Sequence, residues 1–450
     1  MILACLVLPV LCGECIGAEQ GGDDAVKLVL EILKSGDQEM QSVAIGMVKE
    51  MQGSDITRAL AKELANLSAT SQVQLLAALG DRGDPEALPA VIAATRSKDT
   101  AVRIAALKAA GQLGDKSTVM VLAERAASAR GDEQKAAQES LYRLRGEGVD
   151  SAILAGIEKA EPATKVELIK ALEQRNVVTG VDILLKTATD TDRKVRAASF
   201  KVLGALAGPE RLGALVELLI GLKSAPDRTQ AEKMVAAVAH KIERKDKQAE
   251  AVLARLGTVK DVGSRSSLLS VLGRIGDSSA LPAIRRELAS EETEIRTAAI
   301  RALSGWPSAE PLSDLVKLAS ESKNQLHRIL ALRGFVRLLG LASGRPAAET
   351  VAMYKQAMAL APNSMEKRRV LSGLSATPSA DALEMAVGYL GDRELVAEAA
   401  VAVIKIAQSL GQQDRAKGIE ALEKVVSSVG NESLVNSARD ALEKLKAKDN

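Results

Sequence analysis

The sequence has very few aromatic residues: two Phe, three Tyr and one Trp among 450 residues. Its core must therefore consist of aliphatic side chains and alanine. Stacking sites for bases or sugars need several aromatic side chains, so this composition argues against a nucleic-acid partner. Ala and Leu are strong helix formers, as are the Lys, Arg and Glu that supply most of the charge. The composition predicts an all-α chain.

The sequence also has little net charge, with a formal value of +2. A chain this close to neutrality has no global electrostatic attraction to nucleic acid or to an anionic membrane surface. Apolar runs long enough to cross a bilayer are absent as well, since a spanning helix needs about 20 apolar residues. We therefore predict no nucleic-acid partner and no membrane span. The sequence gives no prediction of oligomeric state.

Cysteine is confined to the first fifteen residues, at Cys5, Cys12 and Cys15. This region has an apolar run from Ile2 to Cys12 and resembles the hydrophobic part of a secretory signal. We predict that residues 1–18 are a signal peptide of a bacterial, periplasmic or secreted protein. The alternative is a cytoplasmic chain in which this segment is a misassigned start or an apolar cap on the first helix. Cleavage after residue 18 would leave no cysteine for disulfides, thiol chemistry or thiolate metal sites.

The chain repeats itself. Residues 72–115 align with residues 265–308 without a gap, and a third copy covers 165–208. A weaker fourth copy covers about 367–410, where Glu398 takes the position of Arg103. Self-similarity of this kind is typical of repeat architectures.

Each copy has the pattern helix, turn, helix, turn, helix. In the stretch DTAVRIAALKAAGQLGD, Asp99 is predicted to cap a helix, and Gly114 to end it with a left-handed backbone. Asp115 is then predicted to cap the next helix. The apolar positions have the spacing of one buried helical stripe. They are Val102, Ala106, Ala109, Ala110 and Leu113.

The copies are too far apart to be single repeats, because further helices are predicted at about 117–130, 132–144, 149–160 and 162–174. Each spacing then holds three helical pairs, and the chain holds roughly thirteen. One pair cannot bury its apolar stripe alone, whereas stacked pairs share a continuous core. We predict an α-solenoid of antiparallel helical pairs that forms one domain over residues 19–450, with a weak three-repeat super-period.

The copies resemble the HEAT repeat. The resemblance lies in an apolar helix (ALPAVIAATRS), an acidic turn, Val-Arg, and Ala-Ala-x-x-Ala closed by Leu-Gly. The copies also resemble the short bacterial HEAT-like units that occur in bilin-lyase-type proteins. The resemblance implies that the second helix of each pair lines a concave face. It also implies a structural ladder of turn residues along the repeats. Here these residues are Asp99 with Arg103, Asp192 with Arg196, and Glu292 with Arg296.

No arrangement of residues in the sequence predicts catalysis. The two histidines, His240 and His327, are about three repeats apart, too far to share a metal ion at ligand distances of about 2 Å. Nucleophile-elbow, phosphate-loop and dinucleotide-binding motifs do not occur in the sequence. Trp306, the only tryptophan, is predicted to pack as a hydrophobic plug. We predict no catalytic residue, no metal and no cofactor.

One polar feature recurs beside the buried stripe. Lys108, Lys201 and Arg301 occupy equivalent positions in the three copies and are predicted to point off the second helices. They are either solubilising charges or contacts for an acidic partner. The leading functional prediction is a non-enzymatic protein–protein interaction scaffold with an extended curved helical surface. The alternatives are an accessory or regulatory subunit of an exported enzyme and a bilin-lyase-like enzyme.

Overall fold

The computed structural model describes residues 20–35, 37–51 and 53–447, and the predicted signal peptide lies outside them. The described residues form 26 α-helices, several short 3₁₀ turns and no β-strand. The chain divides into two compact units, Met1–Ala207 and Gly208–Asn450. No helix among the described residues is both long enough and apolar enough to cross a membrane.

The helices of the first unit are α1 (Gln20–Lys34), α2 (Gln38–Glu50), α3 (Ser54–Glu63), α4 (Ala69–Arg82), α5 (Leu88–Ala94), α6 (Thr100–Leu113), α7 (Val119–Ser128), α8 (Gly131–Arg143), α9 (Val149–Lys159), α10 (Pro162–Gln174), α11 (Val181–Thr187) and α12 (Arg193–Leu206). Those of the second unit are α13 (Leu212–Gly221), α14 (Ala225–Ala239), α15 (Glu250–Leu256), α16 (Val262–Ile275), α17 (Leu281–Glu287), α18 (Thr293–Ser304), α19 (Leu312–Glu321), α20 (Gln325–Leu339), α21 (Ala347–Leu360), α22 (Ser364–Leu374), α23 (Ala380–Val387), α24 (Val396–Ser409), α25 (Arg415–Ser428) and α26 (Glu432–Ala447).

Consecutive helices form pairs, and we call the odd-numbered member the first helix and the even-numbered member the second helix. Within each unit every second helix packs against the second helix of the next pair, from α2 to α12 and from α14 to α26. First helices form another layer, as in the contacts of α1 with α3 and of α21 with α23. The described residues thus contain thirteen pairs, six in the first unit and seven in the second. The predicted all-α solenoid of about thirteen helical pairs is confirmed.

The helices predicted between the first two copies are present as α7, α8, α9 and α10, with ends within a few residues of those predicted. The stripe predicted for α6 is buried along its whole length. Leu107, which the stripe did not include, is buried too because α6 packs against α4, α5 and α8. Asp99 caps α6 as predicted, since its Oδ1 accepts a hydrogen bond of 3.0 Å from the Val102 amide.

The Gly-Asp steps at the ends of helices adopt two different backbone conformations. Gly83 and Gly276 are left-handed, with φ of 73° and 70°. The same prediction for Gly114 is wrong, because its φ of −76° and ψ of 159° are extended. Gly114 is needed there for space: a Cβ atom would lie 2.4 Å from the Ala110 carbonyl oxygen and 2.6 Å from Thr118 Oγ1. Asp115 caps the 3₁₀ turn at Lys116–Thr118, which leads into α7.

Trp306 follows α18 and is completely buried, which confirms the predicted plug. Its backbone carbonyl accepts a hydrogen bond of 2.9 Å from Arg337 Nη1 of the next second helix, α20. The indole therefore fills the space under the turn between two pairs, and the arginine closes that turn from outside. Burial of a side chain this large contributes strongly to the stability of the contact between these two helical pairs.

Candidate functional site

The three arginines of the predicted turn ladder all bind their own turn. Arg103 Nη1 donates to the carbonyls of Ser97 and Lys98, both at 3.0 Å. Arg196 makes the same contacts with residues 190 and 191, and Arg296 with residues 290 and 291. These carbonyls belong to the turn between the first and second helices, where no helical amide is available to them. Each arginine therefore fixes the angle at which the second helix begins.

The acidic members of the ladder differ from one another. Asp192 caps α12 as Asp99 caps α6, with Oδ1 2.7 Å from the Lys194 amide and 3.1 Å from the Val195 amide. Glu292 precedes α18 with a similar backbone but makes no side-chain capping bond. The ladder along the repeats that the resemblance implied remains a prediction for these pairs. The contact that Arg103 makes with the next repeat is with Glu133.

A row of buried polar side chains was not predicted from the sequence. The third residue of a second helix is apolar in the three copies, at Val102, Val195 and Ile295. It is polar and buried in most of the other pairs. The polar members of this row are Ser71, Glu133, Thr164, Asp227, Ser264, His327 and Glu366. Each member is the third residue of its helix, three positions after the N-cap. This recurrence is a pattern that could have been found in the sequence.

Two acids of this row, Glu133 and Glu366, are paired with arginines. Glu133 accepts from Arg103 Nε at 2.9 Å and Nη2 at 2.7 Å, and Arg125 Nη1 lies 3.3 Å away. The hydrogen bonds from Arg103 lower the pKa of Glu133, despite its burial. Glu366 is bound in the same way by Arg333, with Nε at 3.1 and 3.0 Å from its two oxygens. Such charge-assisted pairs orient both partners and hold consecutive pairs in register.

The two histidines have structural contacts. His327 is 3% exposed, and its Nε2 lies 2.9 Å from Thr297 Oγ1. Burial, with a smaller contribution from the charge of Arg296, lowers the pKa of His327. His240 follows α14 as its C-cap, and its Nε2 is 3.1 Å from the Ile275 carbonyl oxygen. In the part of the chain that the structure describes, no cluster of His, Cys, Asp and Glu is suited to holding a metal ion.

The predicted basic positions all lie on exposed surface. Lys108, Lys201 and Arg301 are each the ninth residue of a second helix, α6, α12 and α18. Lys201 pairs with Glu173 of the preceding second helix at 2.9 Å. The structure adds basic side chains at the same position of other second helices: Lys170, Lys233 and Arg333. These three residues were not predicted, because the basic positions were identified only in the three most similar sequence copies. The role of Lys108, Lys201 and Arg301 in partner binding remains a prediction.

Two grooves cross three consecutive second helices each, and the last two helices of each groove belong to the aligned copies 165–208 and 265–308. The groove of the first unit runs over α8, α10 and α12, has a volume of about 330 Å³ and includes Lys201. The groove of the second unit runs over α14, α16 and α18, has a volume of about 920 Å³ and includes Arg301. We call them the first and the second groove. Gln174 of the first groove and Arg274 of the second occupy the same helical position, the thirteenth. In the first groove, burial raises the pKa of Tyr142 to about 12, with smaller contributions from Glu167 and Glu173.

A stack of helical pairs with an exposed surface of second helices defines an α-helical repeat protein. Residues 57–142 and 151–236 match the family model described as HEAT repeats. These two segments are similar to HEAT repeats, and they contain all the lining residues of the first groove. The comparison with curated proteins gave no match.

Solved structures with a similar fold include two complexes of the karyopherin Kap121p. The one bound to the extreme C-terminus of the protein phosphatase Cdc14p has a TM-score of 0.56 at 10% sequence identity and covers 98% of this chain. The one bound to Nup53p has a TM-score of 0.54 at 11% identity, also over 98% of this chain. This chain covers 55% of the karyopherin in both. At such low identity the similarity shows the fold alone.

Proposed function

We propose that this protein is a non-enzymatic scaffold that binds another protein along the exposed surface of its second helices. The observation that carries the proposal is the equivalent placement of the two grooves, each on three consecutive second helices and each including a basic ninth residue. The karyopherin structures with a similar fold are complexes with protein segments. They support this use of the fold, although they do not indicate the partner.

The proposed partner is extended and acidic. Lys108 and Lys201 are separated by three second-helix spacings, on the order of 30 Å at 8–10 Å per helix. The Debye length at physiological salt is about 8 Å, so the two ammonium groups cannot act on one small anion. A protein segment that runs across the second helices would meet basic side chains in turn. Binding is then expected to weaken with salt, since these side chains are exposed.

Affinity capture with charge-reversed variants tests the proposal. The test variant carries Lys108→Glu, Lys201→Glu and Arg301→Glu. The control carries Lys159→Glu, Lys186→Glu and Arg286→Glu, which make the same charge change on exposed residues of first helices. We expect a stoichiometric partner with the parent chain and the control, and at least tenfold less with the test variant, since reversing several contact charges costs more than about 1.4 kcal/mol.

Two results would contradict the proposal. Equal capture by the test variant and the control would show that the second-helix charges do not contact the partner. Turnover of a small molecule by the isolated chain would show that it is an enzyme. A captured partner with catalytic activity of its own would favour the accessory-subunit alternative over a general scaffold, and the activity of that partner with and without this chain would then be compared.

We also propose that the chain is exported, on the basis of the apolar run from Ile2 to Cys12. Sequencing the N-terminus of the native protein tests this. A first residue of Glu19 is expected for cleavage at the predicted site, and an intact Met1 on the mature protein contradicts it.

A further inference from the structure

We infer that the second groove binds an acidic side chain, Asp or Glu, within an extended segment of the partner protein. The inference rests on the proposed function and adds to it a location and a chemistry. It is carried by three features of the groove: a floor of small side chains, arginines with free hydrogen-bonding capacity, and an excess of positive over negative side chains.

The floor of the second groove is built from the smallest side chains of α16 and α18. They are Gly263, Ser266, Ser267, Ser270, Gly273, Ala298 and Ala302. At Gly273 the two helices are in direct contact, because a Cβ atom there would lie 2.6 Å from the Ala302 Cα atom. Since longer side chains are missing, a channel of about 920 Å³ remains open above the floor. A channel of this kind admits a peptide backbone in extended conformation.

Three arginines line the channel: Arg228, Arg274 and Arg301. Arg228 lies over Gly263, where a Cβ atom would be only 2.8 Å from its Nη1. Arg274 Nη2 is 3.8 Å from Glu232 Oε2, which is an ion pair without a hydrogen bond. Arg301 makes no ion pair within the described residues. The planar guanidinium group presents paired N–H donors that match the two oxygens of a carboxylate, so Arg274 and Arg301 are suited to binding one.

The charge balance of the groove favours a carboxylate over a phosphoryl group. Its three arginines face two acids, Glu232 and Glu294, which leaves one net positive charge (three minus two). Glu232 is largely buried and accepts a hydrogen bond of 2.7 Å from Ser270 Oγ, so it stays in place as a counter-ion. One carboxylate neutralises the excess. A phosphoryl group carries about −1.5 to −2 charges and would leave the groove with net negative charge.

The first groove lacks this chemistry, although it occupies the equivalent place. Its two lysines are already neutralised: Lys170 pairs with Glu167 at 2.8 Å and Lys201 with Glu173 at 2.9 Å. Gln174 stands where the second groove has Arg274. We therefore assign the carboxylate site to the second groove.

Peptide selection tests the inference. A random twelve-residue peptide library displayed on phage is selected against the whole chain, and enriched peptides are synthesised with a fluorescent label. Each peptide is also made in two variants. The amide variant has Asn or Gln in place of each Asp or Glu, and the phosphoserine variant has phosphoserine at the same positions. Binding is titrated by fluorescence anisotropy with the parent chain, Arg274→Gln, Arg301→Gln and the control Arg286→Gln, which lies on a first helix. Melting curves confirm that each variant is folded. A further variant, Arg301→Lys, retains the positive charge but loses the paired N–H donors of the guanidinium group.

We expect enriched peptides to contain an acidic residue. The amide variant should bind the parent chain about tenfold more weakly, which is the equivalent of one charge-assisted contact. The acidic peptide should bind Arg274→Gln and Arg301→Gln more weakly than the parent chain by the same factor. Arg301→Lys should lose part of the affinity, and Arg286→Gln should lose none. Three results would overturn the carboxylate site. They are enrichment of peptides without acidic residues, equal affinity for the amide variant, and higher affinity for the phosphoserine variant.

The outcomes also separate this inference from the proposed function. Acidic peptides that bind Arg274→Gln and Arg301→Gln as tightly as the parent chain overturn the assignment to the second groove, and the scaffold proposal stands because the chain still binds peptides. Failure to enrich any peptide overturns the inference as well. The proposed function falls with it only if affinity capture also finds no partner.

Discussion

Arg103 and Glu133 form a two-point ion pair between consecutive helical pairs. Arg103 Nε is 2.9 Å from Glu133 Oε1, and Nη2 is 2.7 Å from Oε2. Glu133 is 8% exposed. The same guanidinium group donates to the turn carbonyls of Ser97 and Lys98. One side chain therefore joins the turn of one pair to the second helix of the next.

Removing the carboxylate from this pair should destabilise the first unit. Glu133→Ala leaves a largely buried guanidinium without its counter-charge, and we expect a loss of about 2–3 kcal/mol in the free energy of unfolding. Urea unfolding followed by circular dichroism measures it. The control is Glu139→Ala on the same helix, where Oε1 lies 3.9 Å from Lys135 on exposed surface. That substitution should cost less than about 0.5 kcal/mol, as exposed pairs usually do. Equal losses for both variants would contradict the importance of the buried pair.

The stability of the second unit should depend on pH through His327. Burial lowers the pKa of His327 in the folded protein from its ordinary value of 6.5, so the unfolded chain takes up the proton first. The stability that the neutral imidazole contributes is present above pH 6.5 and is lost as the pH falls below it. Urea midpoints between pH 7.5 and 5.5 should fall more steeply in the parent chain than in His327→Gln. Parallel profiles would show that His327 does not titrate with unfolding.

The caps of the three copies should differ in strength. Asp99→Ala and Asp192→Ala each remove a capping acceptor and should cost about 1 kcal/mol. Glu292 makes no capping bond, so Glu292→Ala should cost much less. Glu292→Asp shortens the side chain at a backbone that resembles that of Asp99 and should gain about 0.5–1 kcal/mol. Thermal melting of the four variants measures these changes. Destabilisation by Glu292→Asp would contradict the assignment of a vacant cap.

Gly273 should not tolerate even one methyl group. A Cβ atom there would lie 2.6 Å from the Ala302 Cα atom, and backbone cannot move aside as a side chain can. We expect Gly273→Ala to cost about 1–3 kcal/mol because it forces α16 and α18 apart. The control is Gly213→Ala in α13, where nothing lies within 4 Å of the added Cβ atom. Alanine should stabilise that helix by up to about 1 kcal/mol. A neutral Gly273→Ala would argue against close contact between the two helices.

Periodicity in the sequence predicted the helices well because apolar stripes and caps are local features. The bounds of α7 to α10, the pairing of helices and the burial of Trp306 follow from residues close together in sequence. The prediction for Gly114 was wrong: its backbone is extended, and what requires glycine there is the space that Ala110 and Thr118 leave. The sequence pattern indicates that a glycine is needed at a position. It does not indicate whether the glycine is needed for a left-handed backbone or because there is no space for a side chain.

Most of the candidate site could not be predicted in this way. Glu133 meets Arg103, and His327 meets Thr297, across a sequence separation of thirty residues. The charge pattern of one helix does not identify such partners. The second groove is defined by side chains that are small or absent, as at Ser266, Gly263 and Gly273. In a sequence rich in small helix-compatible residues, these positions do not differ visibly from ordinary helix.

Contacts between neighbouring pairs also determine how far damage spreads. The main contacts of each second helix are with the second helices on either side, such as α6 with α4 and α8. The free energy of opening is therefore a local quantity that varies along the chain, as in other quasi-one-dimensional proteins. Loss of Glu133 should speed amide hydrogen exchange in α6 and α8 and leave α18 and α20 protected. For this chain a single melting temperature averages over segments that lose their structure separately.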